Sequence, residues 1–321
     1  MTARPGTGTP SRRRVVVALG GNAISLRNQP LDASPQLANV QRAAAALAPL
    51  VRDHDLLITH GNGPQVGLLA LESSADPALA AAYPLDALGA ETQGLIGYWL
   101  VQALTNAVPG RSMVAMVTRT VVGADDPAFG HPTKFIGPTY TAERHAAIAA
   151  TQRWTMKRDG IGWRRVVASP QPLSVVEMDT IECLFRSGTL VICAGGGGVP
   201  VMRTADGELA GVEAVIDKDL TAALIAEAIG ADALLLLTDV AAVSTDFTNP
   251  TAPLITRATA PEMRERRFAE GSMGPKVDAA CRFVERTGHT AAIGALGHAL
   301  EILAGTSGTL ITATTQRVST S

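Results

Sequence analysis

The stretch Arg14-Val15-Val16-Val17-Ala18-Leu19-Gly20-Gly21-Asn22-Ala23 decides the fold. Its apolar residues follow one another without polar interruption and stop at two glycines. An uninterrupted apolar run is typical of a strand covered on both faces, as in a parallel sheet. Parallel α/β proteins bind ligands at the carboxyl ends of their strands, which is where this glycine turn falls. The stretch therefore predicts an α/β fold with a ligand site at the strand ends.

The same alternation of short apolar runs and longer Ala-rich segments continues along the chain. We predict buried strands at Arg14 to Leu19, Leu56 to Thr59, Met113 to Thr118, Leu190 to Ala194 and Leu234 to Thr238. We predict helices at Pro35 to Val51, Gln65 to Leu71, Glu91 to Asn106, Thr180 to Arg186, Asp219 to Ile229 and Lys276 to Arg286. Gly230 is expected to end the helix before it as a C-cap. Strands alternating with helices indicate a largely parallel sheet.

Composition limits the kinds of partner. The chain has 321 residues, of which 46% are hydrophobic, and a formal net charge of -2. A chain of this length can build a sizeable core. Its charge argues against general nucleic-acid binding and against a polybasic membrane binder. No stretch reaches the ~18 unbroken apolar residues of a membrane helix. We therefore expect small-molecule partners.

Cysteine usage and the N-terminal residues bear on location. Cys183, Cys193 and Cys281 are widely spaced, and no CxxC or Cys/His cluster is present, so we expect reduced thiols in the cytoplasm and no structural zinc. The run Ser11-Arg12-Arg13-Arg14 before an apolar stretch resembles a twin-arginine export signal. Gly20-Gly21-Asn22 interrupts that apolar stretch almost at once, so a disordered tail is the favoured interpretation.

The segment from about 123 to 168 differs in amino-acid composition from the rest of the chain. It holds five of the twelve aromatic residues, with scattered Pro, Gly and charged residues. A small inserted subdomain would need such aromatics for a core of its own. A long surface loop is the alternative, and the subdomain is favoured.

Three glycine turns follow predicted parallel strands. The candidate binding residues in them are Gly20, Gly21 and Asn22, then Gly61, Asn62 and Gly63, then Gly195, Gly196 and Gly197 with the adjacent Gly198. Glycine permits close backbone approach, so exposed N–H groups can surround an anion. Purely steric turns are the alternative, but three turns at strand ends favour a polyanion site. The GxGxxG fingerprint is missed by one residue and no GxxxxGK[ST] loop occurs.

Charged residues near these turns suit phosphoryl transfer. Asp217-Lys218-Asp219 places a cation between two carboxylates at a predicted helix start, where either aspartate could instead be a simple N-cap. Lys276 begins a helix after a glycine loop. Lys134 lies between prolines in the suspected subdomain, and an isolated lysine is often only a surface charge. Lysines with Mg²⁺ suffice to neutralise the charge of a transferring phosphoryl group. Nothing indicates a covalent nucleophile.

Together these residues resemble carbamate kinases, within the amino-acid kinase superfamily. The matching stretches are Val15 to Ala23, His60 to Gly67, Gln93 to Leu100, Pro132 to Lys134, Ile136 to Pro138, Gly162 to Val167, Cys193 to Pro200, Gly211 to Asp219 and Gly271 to Lys276. Gln93-Gly94-Leu95-Ile96-Gly97-Tyr98-Trp99 and Val212-Glu213-Ala214-Val215-Ile216-Asp217-Lys218-Asp219 separate this family from other amino-acid kinases. The resemblance spans about residues 13 to 312.

The resemblance implies a three-layer αβα sandwich around a mainly parallel eight-stranded sheet, with a small protruding subdomain, usually in a homodimer. The expected domain covers 13–312, with an N-lobe at about 13–210 that includes the subdomain at about 123–168. A nucleotide-binding C-lobe would cover about 211–312, with tails at 1–12 and 313–321. The implied reaction is ATP + carbamate = ADP + carbamoyl phosphate, reversible and typically run toward ATP in arginine and carbamoyl phosphate catabolism. Mg²⁺ would arrive with ATP or ADP, and no metal held by the protein is expected.

Site roles carry over by matching position. The first two glycine turns would hold carbamate and the transferring phosphoryl group, and Gly195 to Gly198 would help to shape the crevice. Lys134 would reach in from the subdomain, Lys218 would neutralise transition-state charge, and Asp219 would orient the lysines. Lys276 would bind the nucleotide phosphates. The remaining candidate nucleotide-binding residues are Thr238, Asp239, Val240 and Met273.

The chain departs from the family pattern at four places. Gln171 stands where the family often has lysine, Phe135 replaces a usual proline, and Gly274 replaces a larger apolar residue. Asp239 stands where carbamate kinases commonly have glycine. The alternatives are another amino-acid kinase acting on a carboxylate or phosphate substrate such as an acetylated amino acid, or a catalytically idle nucleotide-binding or regulatory protein. A Rossmann dehydrogenase is disfavoured by the missed fingerprint.

Overall fold

The structure, a computed structural model, describes residues 12–26, 29–152, 154–160, 162–246, 249, 251–268 and 273–314. The predicted tail at 1–12 therefore lies outside the described residues except for Arg12. Of the predicted tail at 313–321, residues 315–321 lie outside them, as do Gly271 and Ser272 of the loop before Lys276.

The secondary structure alternates between strands and helices along most of the chain. The strands in the described part are β1 Arg14–Leu19, β2 Asp55–His60, β3 Met113–Ala115, β4 Arg119–Val122, β5 Lys134–Tyr140, β6 Met156–Asp159, β7 Gly162–Val167, β8 Pro172–Val175, β9 Leu190–Ile192, β10 Val199–Arg203, β11 Leu209–Gly211, β12 Ala233–Thr238, β13 Val243–Ser244, β14 Leu254–Ile255, β15 Arg257–Thr259, β16 Thr290–Ala295 and β17 Thr309–Thr312. The helices are α1 Ala33–Asp53, α2 Gly63–Ala75, α3 Leu85–Ala107, α4 Ala142–Gln152, α5 Met178–Arg186, α6 Lys218–Ala228, α7 Ala260–Arg264, α8 Met273–Thr287 and α9 Ala299–Leu303.

The central sheet has eight strands in the order β15-β17-β16-β12-β1-β2-β9-β3. The six strands from β16 to β3 run parallel, whereas β17 is antiparallel to β16 and β15 is parallel to β17. β1 lies near the centre, where Val16 pairs with Leu57 of β2 and with Leu234 of β12. The predicted parallel sheet is therefore confirmed.

Helices cover both faces of this sheet. Val16 and Ala18 belong to the core formed with α5, α6 and α8, whereas Val15, Val17 and Leu19 belong to the core formed with α1, α3 and α9. Successive side chains of a strand point to opposite faces, so an apolar run without alternation is what a doubly covered strand requires. The double covering predicted from β1 and the three-layer αβα arrangement implied by the family resemblance are both confirmed.

Two predicted strands were too long at their carboxyl ends. β3 ends at Ala115 rather than Thr118, because the Thr118 backbone bonds the Gln93 side chain and accepts from Val199 N of β10, so it does not continue the pairing with β9. β9 ends at Ile192, and Ala194 adopts a left-handed backbone with φ +50° that cannot continue a strand. Gly230 follows Ile229, the C-cap of α6, and has φ +62°, the left-handed conformation expected of the glycine that ends the helix.

Three smaller sheets accompany the central one. A four-stranded sheet has the order β11-β10-β4-β8, and β13 pairs with β14. The third sheet, β5-β7-β6, is antiparallel and is accompanied by α4; we call it the small sheet. Its aromatic residues are stabilised by polar neighbours, since Trp163 stacks on His145 with centroids 4.1 Å apart and Arg165 lies 4.3 Å from the Trp154 ring.

The arginines of the N-terminal run bond the ends of helices. Arg12 donates to Val51 O and His54 O at the end of α1, at 2.9 Å each. Arg14 donates to Ile229 O at 3.0 Å, at the end of α6. Cations favour helix carboxyl ends, where carbonyl groups lack helical partners. Among the described helices, none is long and apolar enough to span a bilayer.

Candidate active site

The three predicted glycine turns meet at the carboxyl ends of β1, β2 and β9. A Cβ atom built on Gly61 would lie 2.8 Å from Gly21 N, so the first two turns are in backbone contact. A Cβ atom on Gly196 would lie 2.3 Å from the Asn62 side chain, so the third turn packs against the second. Real Cβ atoms do not approach other atoms this closely, and only glycine permits these contacts.

The first turn also touches the end of β12. Gly20 N donates to Leu237 O at 2.8 Å, and Asn22 Nδ2 donates to Asp239 Oδ2 at 2.7 Å. Thr238 Oγ1 donates to the other oxygen of Asp239 at 3.1 Å. The candidate nucleotide residues Thr238 to Val240 therefore adjoin the candidate phosphoryl turn.

Buried threonines hold the third turn, and sequence reasoning did not find them. Thr118 Oγ1 accepts a hydrogen bond from Ala194 N at 2.8 Å. Gly197 O accepts from Thr120 Oγ1 at 2.8 Å and from Thr221 Oγ1 at 3.0 Å. No motif marks these threonines, because their partners come together only when separate elements pack.

Two buried side chains of helix α3 hydrogen-bond to the second turn and to Thr118. Thr92 Oγ1 accepts from Asn62 Nδ2 at 2.8 Å and donates to Gly89 O at 2.8 Å. Gln93 bonds the Thr118 backbone in both directions, with its Nε2 donating to Thr118 O and its Oε1 accepting from Thr118 N, each at 3.1 Å. The buried face of α3 thus fixes the second turn directly and the third turn through Thr118.

Three of the chain's four lysines meet at the N-terminus of α6. Lys218 Nζ donates to Asp219 Oδ1 at 2.5 Å, and Lys276 Nζ donates to Asp219 Oδ2 at 3.0 Å. Lys134 Nζ reaches from the small sheet to Asp217 Oδ2 at 2.5 Å. The sequence predicted Lys134, Lys218, Asp219 and Lys276 as one site, and the structure brings all four together with Asp217.

The sequence left two alternatives for Asp217, a simple N-cap or a part of the charged site, and the structure shows both. Its Oδ1 accepts from Asp219 N at 2.9 Å, which makes it the N-cap of α6. Its Oδ2 binds Lys134. Burial opposes ionisation of Asp217, but the ammonium groups of Lys134 and Lys218 outweigh burial and hold its pKa well below the usual range.

The pKa values of Lys218, Lys276 and Asp219 are likewise set by burial on one hand and by neighbouring charges on the other. Burial lowers the pKa of Lys218 to about 8, against the attraction of Asp219. Burial also opposes the charge of Lys276, but Asp219 and Asp217 raise its pKa above the usual value. Burial disfavours ionised Asp219 as well, yet Lys218 and Lys276 lower its pKa. Perturbed groups clustered in this way at the start of α6 are a mark of a functional site.

His60 is buried beside the same cluster. Burial lowers its pKa to about 4, so the ring is neutral at pH 7. Its Nδ1 lies 3.2 Å from Gly61 O, which can only accept, so Nδ1 carries the proton. A Cβ atom on Gly195 would lie 2.3 Å from His60 Cε1. His60 therefore packs between the second and third turns.

Comparison with known proteins agrees with this site. Residues 13–295 match the profile of the Amino acid kinase family. A carbamate kinase of Rhizobium meliloti (strain 1021) is 49% identical over 301 residues, covering 93% of both chains. A carbamate kinase of Escherichia coli O6:H1 (strain CFT073) is 51% identical over 299 residues, covering 93% of this chain and 99% of that one. This chain belongs to the carbamate kinase family.

A solved carbamate kinase also shares the fold. Carbamate kinase from Giardia lamblia bound to AMP-PNP superposes with a TM-score of 0.83 at 37% identity, covering 94% of this chain and 98% of that one. The family membership and the αβα fold expected from the resemblance are thus confirmed.

The positions that depart from the family pattern have local contacts. Gln171 Oε1 accepts from Arg282 Nη1 at 2.9 Å, so a cation of α8 lies at this position. The Phe135 ring lies 5.7 Å from the Arg164 guanidinium. Gly274 lies in the first turn of α8, after Met273, which packs against the core that contains α6 and α8.

Proposed function

We propose that this chain transfers a phosphoryl group reversibly between ATP and carbamate, with ADP and carbamoyl phosphate as the other pair. The observation that carries the proposal is the cluster of three lysines around Asp217 and Asp219 at the start of α6, a helix that bonds the third glycine turn through Thr221. Phosphoryl transfer depends mainly on positioning and on neutralising spread negative charge. A water-poor site rich in fixed cations and backbone N–H groups supplies both.

The proposed roles follow the positions of the groups. Gly20, Gly21 and Asn22, with Gly61, Asn62 and Gly63, hold carbamate and the phosphoryl group through backbone N–H groups and the two amides. As the carbamate oxygen bonds to phosphorus, the bond from phosphorus to the ADP oxygen breaks. Lys218 and Lys134 neutralise charge on the phosphoryl oxygens.

Nucleotide binding is proposed for the side of the lysine cluster on which Lys276 lies. Lys276 contacts the phosphates of the nucleotide, and Asp219 holds Lys218 and Lys276 at a fixed separation, since each of its oxygens binds one ammonium. Thr238, Asp239, Val240 and Met273 border the nucleotide. Gly195, Gly196 and Gly197 line the crevice between the nucleotide and carbamate.

Mg²⁺ is proposed to arrive with the nucleotide. Among the described residues, no group of three or more His, Cys, Asp or Glu side chains could hold a metal. Asp217 and Asp219 both bind lysines, so the donor set fits a cation carried on the phosphates. Bound there, Mg²⁺ would add positive charge near the transferring group.

The deciding experiment is ATP formation from ADP, Mg²⁺ and carbamoyl phosphate, followed with luciferase. We expect ATP in proportion to enzyme, and the reverse reaction with carbamate. N-acetylglutamate serves as the alternative acceptor. Nucleotide binding without turnover, or transfer to N-acetylglutamate but not to carbamate, would contradict the proposal.

Carbamoyl phosphate is a mixed anhydride with a high phosphoryl-transfer potential, so we propose that the chain works toward ATP, in carbamoyl phosphate and arginine catabolism. Cytoplasmic location is proposed with it. The cysteines Cys183, Cys193 and Cys281 are all free, which supports a reducing compartment. A fusion to a fluorescent protein, viewed in cells, tests the location.

A homodimer is also proposed. Leu95 and Tyr98 are exposed on α3, with 39% and 58% of their surfaces accessible. Exposed neighbouring apolar residues on one helix face favour burial against a partner. Sedimentation should give a dimer, and Tyr98→Glu should give a monomer. Leu300→Glu, at an exposed leucine of α9, is the matched control and should stay dimeric.

A further inference from the structure

Helix α2 and strand β5 approach each other backbone to backbone. Gly63 and Gly67 are four residues apart and share one face of α2. A Cβ atom on Gly63 would lie 3.4 Å from Phe135 O, an ordinary contact. A Cβ atom on Gly67 would lie 2.0 Å from Gly137 N and 2.1 Å from Gly137 Cα. The contact between Gly67 and Gly137 therefore leaves no room for any side chain.

Strand β5 is shaped to make this contact. Gly137 has φ +71°, in the left-handed region that favours glycine. The pairing of β5 with β7 shifts register between Ile136 and Tyr140, which is where Gly137 turns toward α2. Arg164 of β7 donates to Gly137 O at 3.1 Å and holds this irregularity in place.

Apolar side chains close the junction around the two glycines. Ile136 and Val167 of the small sheet share a buried cluster with Val66 and Ala70 of α2. Close-packed clusters transmit displacements instead of absorbing them. The position of β5 relative to α2 is thus set by the glycine contact and maintained by the cluster.

Lys134 is the first residue of β5, three residues before Gly137. Its ammonium contacts Asp217, which caps the helix that begins with Lys218. A movement of β5 away from α2 would therefore carry Lys134 away from the other two lysines.

We propose that Gly67 is a positioning residue for phosphoryl transfer: its missing side chain lets β5 come close enough for Lys134 to reach the reacting phosphoryl group. This inference rests on the function proposed above for Lys134. An alanine at this position needs β5 to retreat by roughly 1 Å, because its Cβ would lie 2.0 Å from Gly137 N and real Cβ contacts are not shorter than about 3 Å. Misplacement of a catalytic group by about 1 Å can cost 10²-fold in rate.

The test is steady-state kinetics of Gly67→Ala. We expect kcat to fall about 10²-fold, with little change in the dissociation constant of ADP measured by calorimetry, because Lys276 and Thr238 lie on other elements. Gly89→Ala is the matched control, since Gly89 is also a buried helical glycine but a Cβ atom there meets nothing within 4 Å. Wild-type kcat in Gly67→Ala would overturn the proposal.

A double-mutant cycle separates positioning of Lys134 from general damage. If Gly67 acts through Lys134, then Gly67→Ala should slow the Lys134→Ala variant only slightly, because the group that it displaces is already gone. Full additivity of the two losses would contradict the proposal.

Hydrogen exchange gives a readout that does not depend on activity. Amides of residues 134–140 should exchange faster in Gly67→Ala, whereas those of β1 and β12 should be unchanged. Unchanged exchange in residues 134–140 would overturn the proposal.

A second variant serves if Gly67→Ala does not fold. Ile136→Ala loosens the same junction from the strand side and should reduce kcat while retaining ADP affinity. An unchanged kcat in Ile136→Ala would overturn the proposal. An inactive wild type would refute the proposed function, and the exchange data would still decide the role of Gly67 in placing β5.

Discussion

Asp217 Oδ2 accepts a hydrogen bond from Lys134 Nζ at 2.5 Å, although the residues are 83 positions apart in the chain. The same aspartate caps α6 through its other oxygen. One side chain thus connects the small sheet to the helix that presents Lys218. The lysine cluster depends on this connection, because Lys134 belongs to the small sheet, whereas Lys218 and Lys276 belong to helices that cover the central sheet.

Replacing Asp217 with Asn should destabilise the protein by about 2 kcal/mol, the range for a lost hydrogen bond to a charged group. Asparagine is also a good N-cap, so the cap of α6 is retained and only the charge that pairs with Lys134 is removed. Urea unfolding measures the change in the free energy of unfolding. Asp206→Asn, an exposed aspartate between β10 and β11, should be neutral, and equal losses in the two variants would contradict the expectation.

Lys218→Ala should reduce kcat by about 10²- to 10³-fold, corresponding to roughly 3–4 kcal/mol of transition-state stabilisation. Lys218 is buried beside Asp219, so its charge is poorly screened. Lys157→Gln is the control, since Lys157 donates to Pro132 O at the surface and glutamine keeps a donor there. Near wild-type turnover of Lys218→Ala would remove Lys218 from the mechanism.

The pH profile should have an alkaline limb set by Lys218. Burial lowers its pKa to about 8, so its proton is lost as pH rises through 8 and kcat/KM should fall there. The limb in kcat should lie at higher pH, because bound phosphates stabilise the ammonium. Lys218→Arg keeps its proton, so any residual activity should lose this limb. A limb at the same pH in both proteins would assign it to another group.

Stability should fall on mild acidification because of His60. Its folded pKa is about 4 and its ordinary value is 6.5, so the unfolded state binds the proton first. The stabilisation is present above pH 6.5 and is lost as pH falls toward 4, by up to about 3 kcal/mol. His60→Asn should lose this part of the pH dependence. Urea titrations at pH 7 and pH 4.5 compare the two proteins, and parallel losses would show that other groups are responsible.

Most of the parallel sheet was predictable from residues 14–23 and similar runs, since an apolar strand without alternation must be covered on both faces. Among the predicted strands the errors lay at Thr118 and Ala194, where buried side chains and a left-handed backbone end the strands, and β15, β16 and β17 of the central sheet were not predicted. Local sequence cannot reveal such endings, because the partners that cause them come from other elements.

The sequence by itself determined the α/β class, the three glycine turns, and Lys218, Asp219 and Lys276 as candidates, whereas Lys134 was selected through the family resemblance. Apart from Lys134, these follow from residue type and local order, because a glycine turn after a buried strand must emerge at the sheet edge. Only the tertiary structure decided that Asp217 holds Lys134, that threonines 118, 120 and 221 fasten the third turn, and that Gly67 touches Gly137. Each of these contacts joins residues far apart in the chain, so its geometry exists only once the elements have packed.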